Sequence, residues 1–198
     1  MSSRDYTEDT LVEQEAIKHI IQDLKYDEHM NCFDEKFPAT LGRETTTEVV
    51  LKDRLIKAIN KLNSNLPEEA IKKAVDEVTK DRNQLSLVKA NEEVYKLIKD
   101  GVKVRIKNNK GTYDIKTVKI IDFDEPTNNE YFLASQFWIT GEIYKRRPDL
   151  IVFINGMPLV LIELKATGVK VKRAYDENIT DYKESIPQLF WYNAFIIL

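Results

Sequence analysis

Apolar residues in the first hundred positions recur at helical spacing. Ile17, Ile20 and Leu24 form one row, flanked by Val12, Ala16 and Ile21, and predict a helix over residues 10–25. Thr10 and Glu13 have capping-box spacing at its start. A polar stretch over 27–44 reads as a loop. Thr45 and Glu48 repeat the capping spacing and open a second helix to about Leu62, with Leu51, Leu55, Ile59 and Leu62 on one face. Asn63–Pro67 breaks it, and Pro67 with Glu68 and Glu69 starts a third helix to about Lys80. A fourth covers about 84–100 and stops at Gly101.

The period then drops to two. Val102, Val104 and Ile106 alternate with Lys103, Arg105 and Lys107, the pattern of a half-buried strand. Further strands are expected at about 112–123 and within about 131–141. Those at 149–154 and 159–165 are apolar on both faces and so belong at the centre of a sheet, joined at Asn155-Gly156 as a hairpin. A short helix over 173–183 follows, and Pro187 opens a last helix that runs off the end at Leu198. An apolar helix end at Phe195–Leu198 should not face water, which implies a piece of a longer polypeptide. The order predicts one α/β domain over 1–198: a helical part over about 10–100, then a sheet core with closing helices over about 101–198.

Composition narrows the class. Of 198 residues 42% are hydrophobic, enough to bury a core, and no apolar run approaches a membrane span. Met1–Arg4 leads into acidic and polar residues, not an apolar signal core. The one cysteine, Cys32, excludes an intrachain disulfide and a thiolate cluster, and points to a reducing, cytoplasmic setting. Net charge is −3 overall, yet residues 143–173 carry +5 and the remainder −8. That window holds Lys145, Arg146, Arg147, Lys165, Lys170, Lys172 and Arg173, with Asp149 and Glu163 as its acids. Basic surface around two isolated carboxylates suits a phosphate-rich substrate at a metal-holding centre, and equally an ordinary solvated sheet edge.

Three charged groups close the two apolar strands: Asp149, Glu163 and Lys165. Glu163 and Lys165, two apart, share a face. A strict two-residue loop would set Asp149 opposite Ile162; a three-residue loop, Asn155–Met157, sets it opposite Glu163, and this second register is the one expected. Two carboxylates across a strand pair can hold Mg²⁺. A lysine beside them can orient or deprotonate the attacking water or stabilise the transition state of phosphodiester hydrolysis. The competing reading is a salt-bridged sheet end without chemistry. Glu13 lies in the buried row of the first helix and is either a cap or an inward-facing site group; Glu15 projects off the opposite side. Gln188 and Tyr192, four apart on the last expected helix, could position a phosphate or a basic side chain, or merely form a half-buried face. His19 and His29 are too few for a metal cluster, and no phosphate-cradling glycine motif occurs.

Pro148-Asp149 followed by Glu163-Leu-Lys165 resembles the PD…(D/E)xK nuclease signature. The surroundings resemble the N-terminal nuclease domain of the type I restriction enzyme R subunit: Asp23–Tyr26, Glu48–Leu51 through Leu62-Asn63 to Leu66-Pro67, Ile120–Phe123 with Pro126–Asn128, the block Arg147–Lys165, and Ile186–Asn193. The resemblance implies a restriction-endonuclease-like core, a central mixed sheet flanked by helices behind an N-terminal helical region. It implies a Mg²⁺-dependent endonuclease domain cutting double-stranded DNA within an ATP-dependent type I restriction-modification complex. Asp149 and Glu163 would be metal ligands, Lys165 the catalytic lysine, Gln188 and Tyr192 the family's Gln-x3-Tyr element, and Glu13 the early acidic residue. ATP use, translocation and assembly with modification and specificity subunits would belong to a motor region that this chain lacks. The rival is a catalytically silent nuclease-like module that binds DNA or docks a subunit; a stand-alone repair or mobile-element nuclease fits the cut-off last helix poorly.

Overall fold

The computed structural model describes residues 8–34, 38–108, 110–165, 168 and 170–198, so the Met1–Arg4 segment lies outside the described residues. Helix α1 is Glu8–Lys18, already under way before Thr10, which is therefore not its N-cap. Over His19–Asp23 it widens to an i→i+5 turn, with the Leu24 N–H on the His19 carbonyl at 3.3 Å. The extra residue advances the helical phase. Ile17 and Ile20 stay buried while Leu24, expected in the same row, is 62% exposed.

The segment expected as loop over 27–44 contains strand β1, Glu28–Asn31. Helix α2, Lys52–Leu62, starts later than the Thr45–Glu48 spacing predicts; the Glu48 carboxylate instead accepts the Glu44 N–H and pairs with Lys52. Helix α3 is Glu68–Thr79, and α4 is Leu87–Asp100, capped by the Ser86 hydroxyl and ended by Gly101 at φ +75°. Strands β2, Val102–Lys107, and β3, Tyr113–Val118, pair antiparallel as a ribbon of their own on α3, outside the central sheet.

Strands β4, Tyr131–Ser135, β7, Leu150–Ile154, β8, Met157–Ile162, and β9, Phe195–Ile197, join β1 in a five-stranded mixed sheet ordered β1-β4-β7-β8-β9. A second small ribbon, β5, Ile139–Thr140, with β6, Lys145–Arg146, leads into β7. Helix α5 spans 171–185, with its middle, Ala174–Ile179, again wound at i→i+5. The helix expected from Pro187 to Leu198 is not formed. Pro187–Trp191 is a 3₁₀ turn, and the β-favouring Phe195-Ile196-Ile197 pairs in parallel with the edge of β8. The mixed sheet flanked by helices is consistent with a restriction-endonuclease-like core.

Side chains alternate across the sheet. Phe132, Ile151, Phe153 and Leu161 face the larger core built by α2, α3, α4 and α5, and Leu133, Leu150, Val152 and Ile162 meet Ile17 and Ile20 of α1 on the other face. The β7–β8 hairpin sets the register of everything that follows. Its loop is two residues, Asn155 at φ +51° and Gly156 at φ +78°, as a type I′ turn requires, and not the expected three. Leu159 is instead an extra, bulged residue on β8: the pairs run Phe153↔Pro158, then Val152↔Val160, and end at Leu150↔Ile162. Continued one step past the end of the ladder, this register sets Asp149 opposite Glu163, the alignment expected, through the bulge and not through a longer loop.

The turn is pinned from below. The Asn155 side chain accepts the Glu130 N–H and donates to the Ile120 carbonyl and Asn129 Oδ1, which explains why Ile120 and the Pro126–Asn129 turn lie where they do. A methyl added at Gly156 would lie 2.5 Å from the Leu51 carbonyl oxygen and 2.7 Å from the Leu55 nitrogen. Gly156→Ala is therefore expected to cost roughly 2–4 kcal/mol from strain plus overpacking, read as a shifted midpoint in urea unfolding.

Candidate functional site

At the open end of β7 and β8 three sequence-predicted residues meet. The backbone N–H of Leu164 donates to Asp149 Oδ2 at 2.8 Å, tying the aspartate to the strand that carries Glu163 and Lys165. β9 fixes the same point from the other edge, since the Glu163 N–H donates to the Ile197 carbonyl at 3.0 Å. Glu163 is 2% exposed, a carboxylate that needs partners. Helix α5 supplies them. Asn178 donates to Glu163 Oε1, and the Tyr182 hydroxyl lies 3.3 and 3.4 Å from its two oxygens. Asn178 Oδ1 also accepts from Lys165 Nζ at 2.7 Å, so one amide orients both the carboxylate and the lysine.

The opposite layer contributes Glu13. Gln136 Nε2 donates to Glu13 Oε2 at 2.5 Å, while the Gln136 N–H donates to the Asp149 carbonyl at 2.8 Å. Gln136 stands at φ +55°, a left-handed conformation costly for a non-glycine residue. The bend sends its side chain across the end of the sheet from β4 to α1. Glu15 faces solvent. Of the two early acids, Glu13 is the one tied to this end of the sheet, through Gln136.

The charges crowd one another. Burial, then the charge of Asp149, pushes Glu163 up to about 7, with Lys165 opposing. Burial also raises Asp149, against the Leu164 hydrogen bond and Lys165. Glu13 is raised by burial, opposed by Gln136 and reinforced by Asp149. Burial and then the Glu163 charge hold Tyr182 in its protonated, donating form. Three carboxylates face one nearby lysine, so the centre is short of positive charge, and its carboxylate oxygens are the donors a hard divalent cation takes. Among the described residues no three His, Cys, Asp or Glu side chains form a ready metal cage. Magnesium does not need one, because it takes one or two carboxylates and keeps waters and substrate oxygens for the rest.

Gln188 and Tyr192 sit elsewhere. Gln188 donates to the carbonyls of Thr140 and Thr47, and the Tyr192 hydroxyl donates to the Val78 carbonyl in the larger core. The 3₁₀ winding around them breaks the i, i+4 alignment that made them neighbours on paper. The pair that meets Glu163 and Lys165 is Asn178 and Tyr182, also four apart. The signal for them was the same spacing on the preceding helix, hidden because Asn178 reads as an ordinary exposed helix residue. Gln136 had no signal at all: a positive φ outside glycine is invisible in the sequence.

A family model described as Type I restriction enzyme R protein N terminus matches residues 5–198. A relative from Haemophilus influenzae, "Type I restriction enzyme HindI endonuclease subunit", is 34% identical over 180 residues, which is 89% of this chain and 16% of that protein. One from Methanocaldococcus jannaschii, "Putative type I restriction enzyme MjaIXP endonuclease subunit", is 34% identical over 198 residues, 96% of this chain and 18% of that protein. The chain thus spans about a sixth of the length of these curated relatives. Among the described residues no helix is long and apolar enough to cross a membrane.

Proposed function

The chain belongs to the family of type I restriction enzyme R protein N-terminal regions, and from that premise we propose that it is the Mg²⁺-dependent endonuclease domain of such a subunit, hydrolysing phosphodiester bonds of double-stranded DNA. The observation that carries this reading is the convergence of Asp149, Glu163 and Lys165 at one strand end, with both carboxylates destabilised by burial and Glu163 also by the charge of Asp149. Asp149 and Glu163 are the residues that would hold the ion. A bound magnesium ion supplies a water of lowered pKa and positive charge beside a phosphoryl oxygen.

The chain's own groups do the rest. Asn178 holds the Lys165 ammonium next to the carboxylates, where it can orient the attacking water or steady the negative charge on the phosphoryl oxygens. Tyr182 and Asn178 hold the Glu163 carboxylate in place by hydrogen bonds. Glu13, linked through Gln136, adds a carboxylate able to accept a proton from water on the α1 side. Gln188 and Tyr192, carried over from the family motif, would act on the site only indirectly, by fixing the β5–β6 ribbon and α3. In the whole protein the domain would act with an ATP-driven motor and with modification and specificity subunits in the cytoplasm. A silent DNA-binding or docking module has less to recommend it, because such a module gains nothing from two crowded carboxylates and a tethered lysine.

Calorimetric titration of the chain with Mg²⁺ tests the reading. The unaltered chain is expected to bind one ion and Glu163→Ala to bind it at least about tenfold more weakly. Equal binding by the two proteins would remove the metal centre.

A further inference from the structure

Of the seven cations in the basic window, several are already spent on local pairs. Arg146 pairs with Asp181, Lys172 with Asp176 and Arg173 with Glu177. Lys145 and Arg147 are held differently. The Lys145 ammonium lies 4.4 Å from the centre of the Trp138 ring. The Arg147 guanidinium lies 4.9 Å from that ring and 4.3 Å from the ring of Phe33. Among the described residues neither cation has a carboxylate within ion-pair distance.

The rings are fixed in turn. Trp138 Nε1 donates to the Phe33 carbonyl at 3.1 Å, locking the segment after β1 to the start of the β5–β6 ribbon. Arg43 braces the platform from behind, stacked 4.0 Å from the Phe137 ring with Nη1 on the Trp138 carbonyl at 2.8 Å. Phe33 is 48% exposed, so the stack Phe33–Arg147–Trp138–Lys145 opens to solvent. Arg147 is two residues from Asp149, and its charge is felt by both Asp149 and Glu13.

A flexible surface lysine or arginine loses rotamer freedom when it grips a phosphate. A cation already laid on an aromatic face has given up much of that freedom and keeps its N–H groups pointing outward. Fixed cations beside a cleavage centre, with no ion-paired carboxylate among the described residues, are complementary to a run of phosphates.

Resting on the nuclease reading above, we propose that Phe33, Trp138, Lys145 and Arg147 form the phosphate-binding track that holds the DNA strand next to the scissile bond. Arg147 takes the phosphate nearest Asp149, and Lys145 the next one outward along the ribbon.

Fluorescence anisotropy of a labelled DNA duplex, without divalent cation so that nothing is cut, tests this on the chain and its variants. Lys145→Ala/Arg147→Ala is expected to weaken binding about tenfold or more at about 100 mM salt and to flatten the plot of log affinity against log salt by nearly two contacts' worth. Lys172→Ala/Arg173→Ala, which removes the same charge from α5, should stay within about twofold. The track is overturned if the first double variant binds as the unaltered chain does. It is also overturned if both double variants lose affinity equally, which is diffuse attraction, or if the unaltered chain shows no salt-dependent binding. Tighter binding of a polyglutamate peptide than of duplex, lost in the same variant, would assign the stack to an acidic protein partner instead and overturn it too. The nuclease reading is tested separately. Calorimetric Mg²⁺ binding should be kept in Lys145→Ala/Arg147→Ala, and somewhat tightened by loss of the Arg147 charge beside Asp149, so loss of DNA with the ion retained leaves the centre standing whichever way the track falls.

Discussion

Asp149→Asn in the intact subunit, assembled with its partner subunits, is expected to lower DNA cleavage by about 10²–10³-fold or more while leaving ATP hydrolysis unchanged. Asparagine matches aspartate in volume, and its amide oxygen can still accept the Leu164 N–H, the bond that ties the two strands at this point. The hairpin register rests on the Leu159 bulge and the pinned Asn155-Gly156 turn, and neither touches position 149. What the substitution removes is one negative charge from a pair that would share a cation. Thermal unfolding within about 1 kcal/mol of the parent would show that the fold survived. Cleavage within about tenfold of the parent, in a protein so verified, would take Asp149 out of the chemistry and leave Glu163 and Lys165 as a strand end held by Asn178.

Continuous apolar runs at 150–154 and 159–162 marked the central strands, and Asn155-Gly156 marked their turn, because both signals are local. The bulge was not legible: Leu159 is as apolar as its neighbours, and only the packing of β8 against the sheet decides which residue is squeezed out of pairing. The end of the chain misled for a related reason. Phe195-Ile196-Ile197 fits a helix face or a strand equally well, and the free edge of β8, a feature made by residues far away in sequence, decides between them. The same edge bonds carry the Glu163 N–H. At the site, the groups that carry charge were visible because charged residues ending apolar strands are conspicuous. The groups that hold them, Gln136, Asn178 and Tyr182, were not, because nothing in their own neighbourhoods distinguishes them from surface or core.

Those holding groups do not fully offset the burial of Glu163, and the metal-free chain should show it as a pH-dependent stability. An unfolded glutamate titrates near 4.5, whereas Glu163 in the fold, 2% exposed and facing Asp149, titrates near about 7. Between those values the folded chain carries a proton that the unfolded chain has released. Stability from this group is therefore complete below pH 4.5 and falls as pH rises, until above about 7 the fold must bear a buried charge. The difference is roughly 3 kcal/mol. Glu13 and Asp149, also raised, tilt the curve the same way, while ion-paired acids such as Glu48 tilt it oppositely, so the informative quantity is parent minus variant. Glu163→Gln keeps the shape and never ionises. In urea unfolding with chelator present, it should match the parent near pH 4 and exceed it by roughly 3 kcal/mol near pH 8. Mg²⁺ added at pH 8 should close that gap from the parent's side, because the cation takes the place of the missing proton, and should leave the glutamine protein where it was. Parallel stability curves for the two proteins would mean that Glu163 is comfortable as an anion in the fold, and a centre that already satisfies its carboxylates has no call on a metal.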